Sequence, residues 1–139
     1  MTVHSHRLRV DTHGETDMHD LTSDVARVVT ESECSGGLVN IFVRHTTAAI
    51  IIGEYEPGLV HDVPILLERI APAGLDYRHN VLNHDDNAHS HLVGSIMGPS
   101  ETIPFQDGTL LLGTWQAIIL LEMDTHPRTR EVIVQVVGE

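Results

Sequence analysis

The sequence predicts an α+β fold: one domain over residues 1–139, with antiparallel sheets in a sandwich-like arrangement and two to three helices. Three observations carry this. Strand-like segments cluster toward both ends of the chain. Helical periodicities lie between them, without the regular strand–helix alternation of a parallel sheet. The length, 139 residues, fits one domain, and a chain of this size buries roughly two-thirds of its unfolded surface, enough for a core.

Val3 to Val10 alternates, with His6, Leu8 and Val10 on one face, and reads as a strand. Asp11 to Glu15 reads as a turn. From Asp20 to Glu33, Leu21, Val25, Val28 and Val29 form one helical face. Gly36-Gly37 then reads as its left-handed C-cap. Leu38 to Arg44 is a strand, His45-Thr46-Thr47 interrupts it, and Ala48 to Ile52 resumes. Gly53 to Gly58 is a turn. Leu59, Val63, Leu66, Leu67 and Ile70 mark a second helical face. Pro64 inside it predicts a late start or a kink. Pro72 to Asn87 is a polar stretch long enough to be read as a functional loop. Asn87 is placed to cap a helix running to Met97, and Gly98-Pro99 ends it. Thr102 to Phe105 is a short strand, and Gln106-Asp107-Gly108 a hairpin signal. Leu110 to Asp124 is an apolar run broken by Gly113-Thr114-Trp115-Gln116. His126 to Arg130 is a polar connection, and Val132 to Val137 the last strand.

The formal charge is −12, from 20 acids against 8 bases. Every base is arginine, which excludes lysine Schiff-base chemistry and a P-loop. The acidic balance argues against a nucleic-acid partner. No apolar run approaches the ~18 residues needed to span a bilayer, so no membrane partner is expected. Cys34 is the single cysteine and Met1 to Val10 has no signal-peptide core, which together predict a cytoplasmic protein. Cys34, with no base near it in sequence, reads as inert.

Histidine is the unusual count, eleven residues. His4, His6, His13 and His19 read mostly as surface residues. His45, at a strand end, reads either as a residue projecting into a cleft or as a half-buried histidine bonded to its own turn. His89 and His91 are two apart, so on a helix they diverge by about 200° and only one reaches a given ligand. His91, deeper in the helix, is preferred, with His89 supporting or at the surface. Asp85 and Asp86 read either as helix N-terminal charges or as carboxylates that hold Mg²⁺ or orient a histidine. His126, Arg128 and Arg130 form a cationic turn suited to phosphate or carboxylate, and equally to pairing with surface acids. Arg78-His79 is a weaker site of the same kind. Trp115 reads as core. Glu122, a charge inside an apolar run, sits either at an edge or at a site.

Ser100 to Ile118 carries Ser100, Ile103, Gly108 and Gly113-Thr114-Trp115-Gln116, and this pattern resembles the signature of the secondary thiamine-phosphate synthase family. Phe105 departs mildly from it. His45 to Ala48, Asp62, Glu54 to Pro57, Tyr77 with His79, Asn87 to His91, Glu122 and His126 are similar to further family positions. The resemblance implies a trimeric α+β subunit that joins a pyrimidine-methyl diphosphate to a thiazole phosphate. It implies His45, His91 and His126 as ligands of a divalent metal, zinc foremost, with Mg²⁺ the ion to accompany a diphosphate. Asp86, Glu122 and Arg130 then take catalytic roles. Arg78 and Arg128 bind the phosphorylated small molecule, and Trp115 or Tyr77 stacks on its ring. Two other readings are a non-catalytic metal- or anion-binding oligomer and a metal-dependent hydrolase at the same histidines.

Overall fold

The computed structural model describes residues 1–139 and has the α+β architecture expected. All strand pairings are antiparallel. One sheet has the order β1 (Thr2–Asp11), β8 (Thr129–Gly138), β3 (Gly36–Val43), β5 (Ser100–Gln106), β6 (Thr109–Leu110). The other has the order β2 (Asp17–Asp20), β7 (Ala117–Glu122), β4 (Ala48–Gly53). The helices are α1 (Thr22–Glu31), α2 (Pro57–Ile70), α3 (Arg78–Asn83) and α4 (Ala88–Met97).

Two apolar clusters explain the layering. The larger unites Val39, Ile41 and Val43 of β3, Val132, Val134 and Val136 of β8, and Ile118 and Leu120 of β7 with Val25, Val28 and Val29 of α1. The smaller joins Ala117, Ile119 and Leu121, the other face of β7, to Leu67 of α2 and Val93 of α4. Every β7 residue is buried, because both of its faces are covered. That explains its unbroken apolar run.

The structure corrects several expectations. There are four helices, not two or three, because the polar stretch before Asn87 contains α3, ended by His84 in the left-handed conformation (φ 52°). Gly36-Gly37 does not cap α1, which ends at Glu31. The two glycines belong to β3, where Gly37 pairs with Gly138. A Cβ on Gly37 would lie 2.2 Å from the Val137 carbonyl oxygen, so close strand approach requires glycine there. Helix α2 begins at Pro57 and runs on through Pro64. Glu56 caps it, accepting from the Gly58 N–H at 2.8 Å and from the Leu59 N–H. Pro at the first helical position makes this early start favourable. His4 and His6 are only partly exposed, because they share the inward face of β1 with Leu8. The hairpin at Asp107-Gly108 is formed, with φ of 50° and 69°.

No helix is long and apolar enough to cross a membrane.

Candidate functional site

Strand periodicity builds the floor of the site. On β7, Glu122 shares a face with Ile118 and Leu120. On β8, Arg130 shares a face with Val132 and Val134. Both therefore point between the sheets and form the polar end of the large core. Arg130 Nε donates to Glu122 Oε2 at 2.6 Å, and its Nη2 donates to Oε1. Thr12 Oγ1 donates to Oε2 at 2.6 Å and the Asp124 N–H to Oε1 at 2.8 Å. Both carboxylate oxygens of Glu122 are thus satisfied, a condition under which a buried ion pair is tolerable.

Above this floor lies a cleft of about 520 Å³ with no hydrophobic lining residue. The turn after β3 supplies Arg44, His45, Thr46 and Thr47, the start of α4 supplies Asn87 and His91, and the connection into β8 supplies Asp124, Arg128 and Arg130. Gly94 lets the helix reach that turn, since a Cβ there would meet the Thr46 carbonyl oxygen at 2.8 Å. Asn87 precedes α4, as expected, but its side chain does not cap it. Its Nδ2 donates to Asp124 Oδ1 at 3.2 Å, and Asn80 Oδ1 accepts from the Ala88 N–H instead.

Asp124 organises the cleft. Burial alone would raise its pKa. Hydrogen bonds from Thr47, the Thr125 N–H and Asn87, with the charge of Arg128, hold it at about 2. Arg128 Nε donates to Asp124 Oδ2 at 3.0 Å, and its terminal nitrogens make no bond within the chain. Arg130 likewise keeps Nη1 unengaged. His45 Nε2 accepts from the Glu131 N–H at 3.1 Å, which places its proton on Nδ1. Burial, and then the Arg130 charge, lower the His45 pKa. Burial and the neighbouring His79 lower that of His91. Their ring centroids are 4.5 Å apart.

The predicted site residues divide. His45, His91, Arg128 and Arg130 meet in the cleft. Tyr77 and Arg78 line a neighbouring hollow with His79 and His91, and the Tyr77 hydroxyl donates to the Pro72 carbonyl at 2.8 Å. Asp86 accepts from Thr125 Oγ1 at 2.7 Å, with His126 Nε2 3.7 Å away, outside the cleft lining. Glu122 is fully buried beneath Arg130, so it positions that arginine. Trp115 is 73% exposed, not core, and stands beyond the far end of β7 from Glu122. Asn87, Thr46, Thr47 and Asp124 were missed as site residues. Asp124 had a signal, lying two residues beyond Glu122 with the same strand period.

The three-histidine zinc cluster does not form. His126 turns to Asp86, His91 lies against His79, and His45 commits Nε2 to the backbone. No group of three or more His, Cys, Asp or Glu side chains is placed to hold a metal ion. The residues therefore do not fit the metal the resemblance implied.

Comparison with known proteins corrects the family as well. A family model described as "UPF0047 protein YjbQ-like" matches residues 6–139. A UPF0047 protein of Methanothermobacter thermautotrophicus is 39% identical over 139 residues, covering 100% of this chain and 95% of its own. Another, from Archaeoglobus fulgidus, is 41% identical over 128 residues, covering 92% and 97%. Among solved structures, a "YbjQ-like protein of unknown function" from Sulfolobus solfataricus superposes with a TM-score of 0.94 at 34% identity, over 99% of both chains. A hypothetical protein from Aeropyrum pernix gives 0.91 at 36% identity, over 97% of this chain and 98% of its own. None of these descriptions points to thiamine-phosphate synthesis or to metal-dependent catalysis. The secondary thiamine-phosphate synthase assignment, with its reaction and the metal-dependent alternatives, is set aside on these findings.

Proposed function

This chain belongs to the UPF0047 YjbQ-like family, and from that premise we propose that its arginine-lined cleft binds a small phosphorylated molecule, with His45 donating a hydrogen bond to it and His91 exchanging a proton with it. The observation that carries the reading is the set of donors left over after internal pairing. Arg128 keeps both terminal nitrogens free, Arg130 keeps Nη1 free and His45 carries Nδ1–H, and all three residues line a cleft without an apolar wall. Arginine grips phosphate through its planar fork. Asp124 is held as a carboxylate and already accepts from Thr47, Asn87 and Arg128, so it screens the cations without competing for the ligand. Burial and His79 lower the His91 pKa, so its imidazole is neutral at pH 7 and suited to accept a proton, while His45, with Nε2 engaged by the Glu131 N–H, acts as a hydrogen-bond donor through Nδ1.

Calorimetric titration with phenyl phosphate, against phenol as the uncharged control, tests the binding. Saturable binding of the phosphate alone is expected, weakened about tenfold or more in Arg128→Ala. Affinity is expected to survive EDTA treatment, and its loss would return the case to a bound divalent ion. Equal binding of phenol, or an indifferent Arg128→Ala, would overturn the reading.

Self-association as a homotrimer belongs to the same proposal. Ile65, Leu66 and Ile70 of α2, Leu82 of α3, and Leu92 and Ile96 of α4 leave apolar side chains exposed, the kind of surface an oligomer covers. A cytoplasmic location is supported by the single, unpaired Cys34.

A further inference from the structure

On the other side of α4 from the arginine cleft lies a second cavity, of about 270 Å³. The two stand back to back on shared backbone. His89 lines the second and His91 the first, as residues two apart on a helix must. Met123 lines the second and Asp124 the first. The Ser90 hydroxyl, donating to the Met123 carbonyl, ties helix to strand end between them.

Their linings are opposite in character. The second cavity has an apolar floor of Pro64, Leu67, Val93 and Met123. Its polar side chains include Glu15, Glu68 and His89, and no arginine lines it. Glu68 Oε2 accepts from the Ala73 N–H at 3.2 Å, and neither carboxylate has an ion-pair partner. His89 Nδ1 is buried with no hydrogen-bond partner. Glu15 and Thr16 hold positive φ (23° and 53°), and the Glu15 N–H donates to the Asp124 carbonyl at 2.6 Å. The rim is thus fixed to the same connection that serves the arginine cleft, in a conformation non-glycine residues seldom adopt.

We propose that this cavity binds a small organic cation, a protonated primary or secondary amine carried on a short apolar or aromatic body. The carboxylates select the sign of the charge and the apolar floor selects the body. The volume, just below the ~300–1,000 Å³ of ordinary ligand pockets, limits the size. The proposal is independent of the phosphate reading, because the two cavities share no lining residue.

Benzylamine is the probe, with benzyl alcohol and benzoate as neutral and anionic matches. In an NMR titration, benzylamine is expected to shift the Met123 methyl and His89 ring signals saturably. Benzyl alcohol should bind about tenfold more weakly, and benzoate should not saturate. The Glu15→Gln, Glu68→Gln pair should weaken benzylamine about tenfold, while Arg128→Ala leaves it unchanged. Glutamine keeps an acceptor for the Ala73 N–H, and should the pair fail to fold, each single variant is expected to cost about threefold. No saturable shift, equal binding of benzyl alcohol, or benzylamine affinity unchanged in the glutamine variants would overturn the proposal.

Discussion

Thr47, Asn87, Thr125 and Arg128 all donate to the Asp124 carboxylate, and the consequence is measurable as stability. Its pKa falls from 3.8 to about 2 on folding. A group with a depressed folded pKa contributes stability above its unfolded pKa and loses it as pH falls through the folded value. Asp124 should therefore contribute about 2 kcal/mol at pH 7, lost between about pH 4 and pH 2. Urea denaturation of Asp124→Asn should show that deficit at neutral pH, and the gap from the unsubstituted protein should close at acid pH. A gap that stays constant with pH would show that the loss is steric.

Helix α4 and strand β7 show what was legible at the level of elements. The apolar run after Gln116 marks β7 as a strand but does not distinguish its faces, and the structure puts the face carrying Ile118, Leu120 and Glu122 between the sheets. Helix α4 was bounded correctly at Asn87 and Met97, because a polar residue before an apolar face and a glycine after it are local signals. What brings α4 to the His45-Thr46-Thr47 turn is not local. It depends on a missing side chain at Gly94, which contacts a residue far away in sequence. Gly94→Val should destabilise the fold by about 1–3 kcal/mol in urea denaturation, since the Thr46 carbonyl leaves no room for overpacking. Unchanged stability would show that the helix can retreat freely. The same logic explains the failed expectations. Gly36-Gly37 looks like a helix cap until β8 is seen beside it, and His126 looks like a partner of His91 until Asp86 is seen to stand nearer. Trp115 carries no mark in the sequence to show that its turn, braced by Gln116 Oε1 accepting from the Gly113 N–H at 2.8 Å, faces outward.

For the molecule as a whole, the exposed apolar side chains on α2, α3 and α4 set an expectation for assembly. Sedimentation equilibrium at micromolar concentration should give three times 15.3 kDa. A single-chain mass would leave those side chains to some other partner. A net charge of −12 should keep such an assembly from associating further.

Arg130 is buried among strands whereas Arg128 is half exposed on a connection. The difference is one of entropy. The Arg130 guanidinium is immobilised as the chain folds, so a ligand meets it without the rotamer loss, up to roughly 2 kcal/mol, that ordering an arginine entails. Arg128 still has that freedom to lose when it closes on a bound anion. One arginine is then a fixed seat and the other a clasp, and how long a ligand stays depends on the clasp.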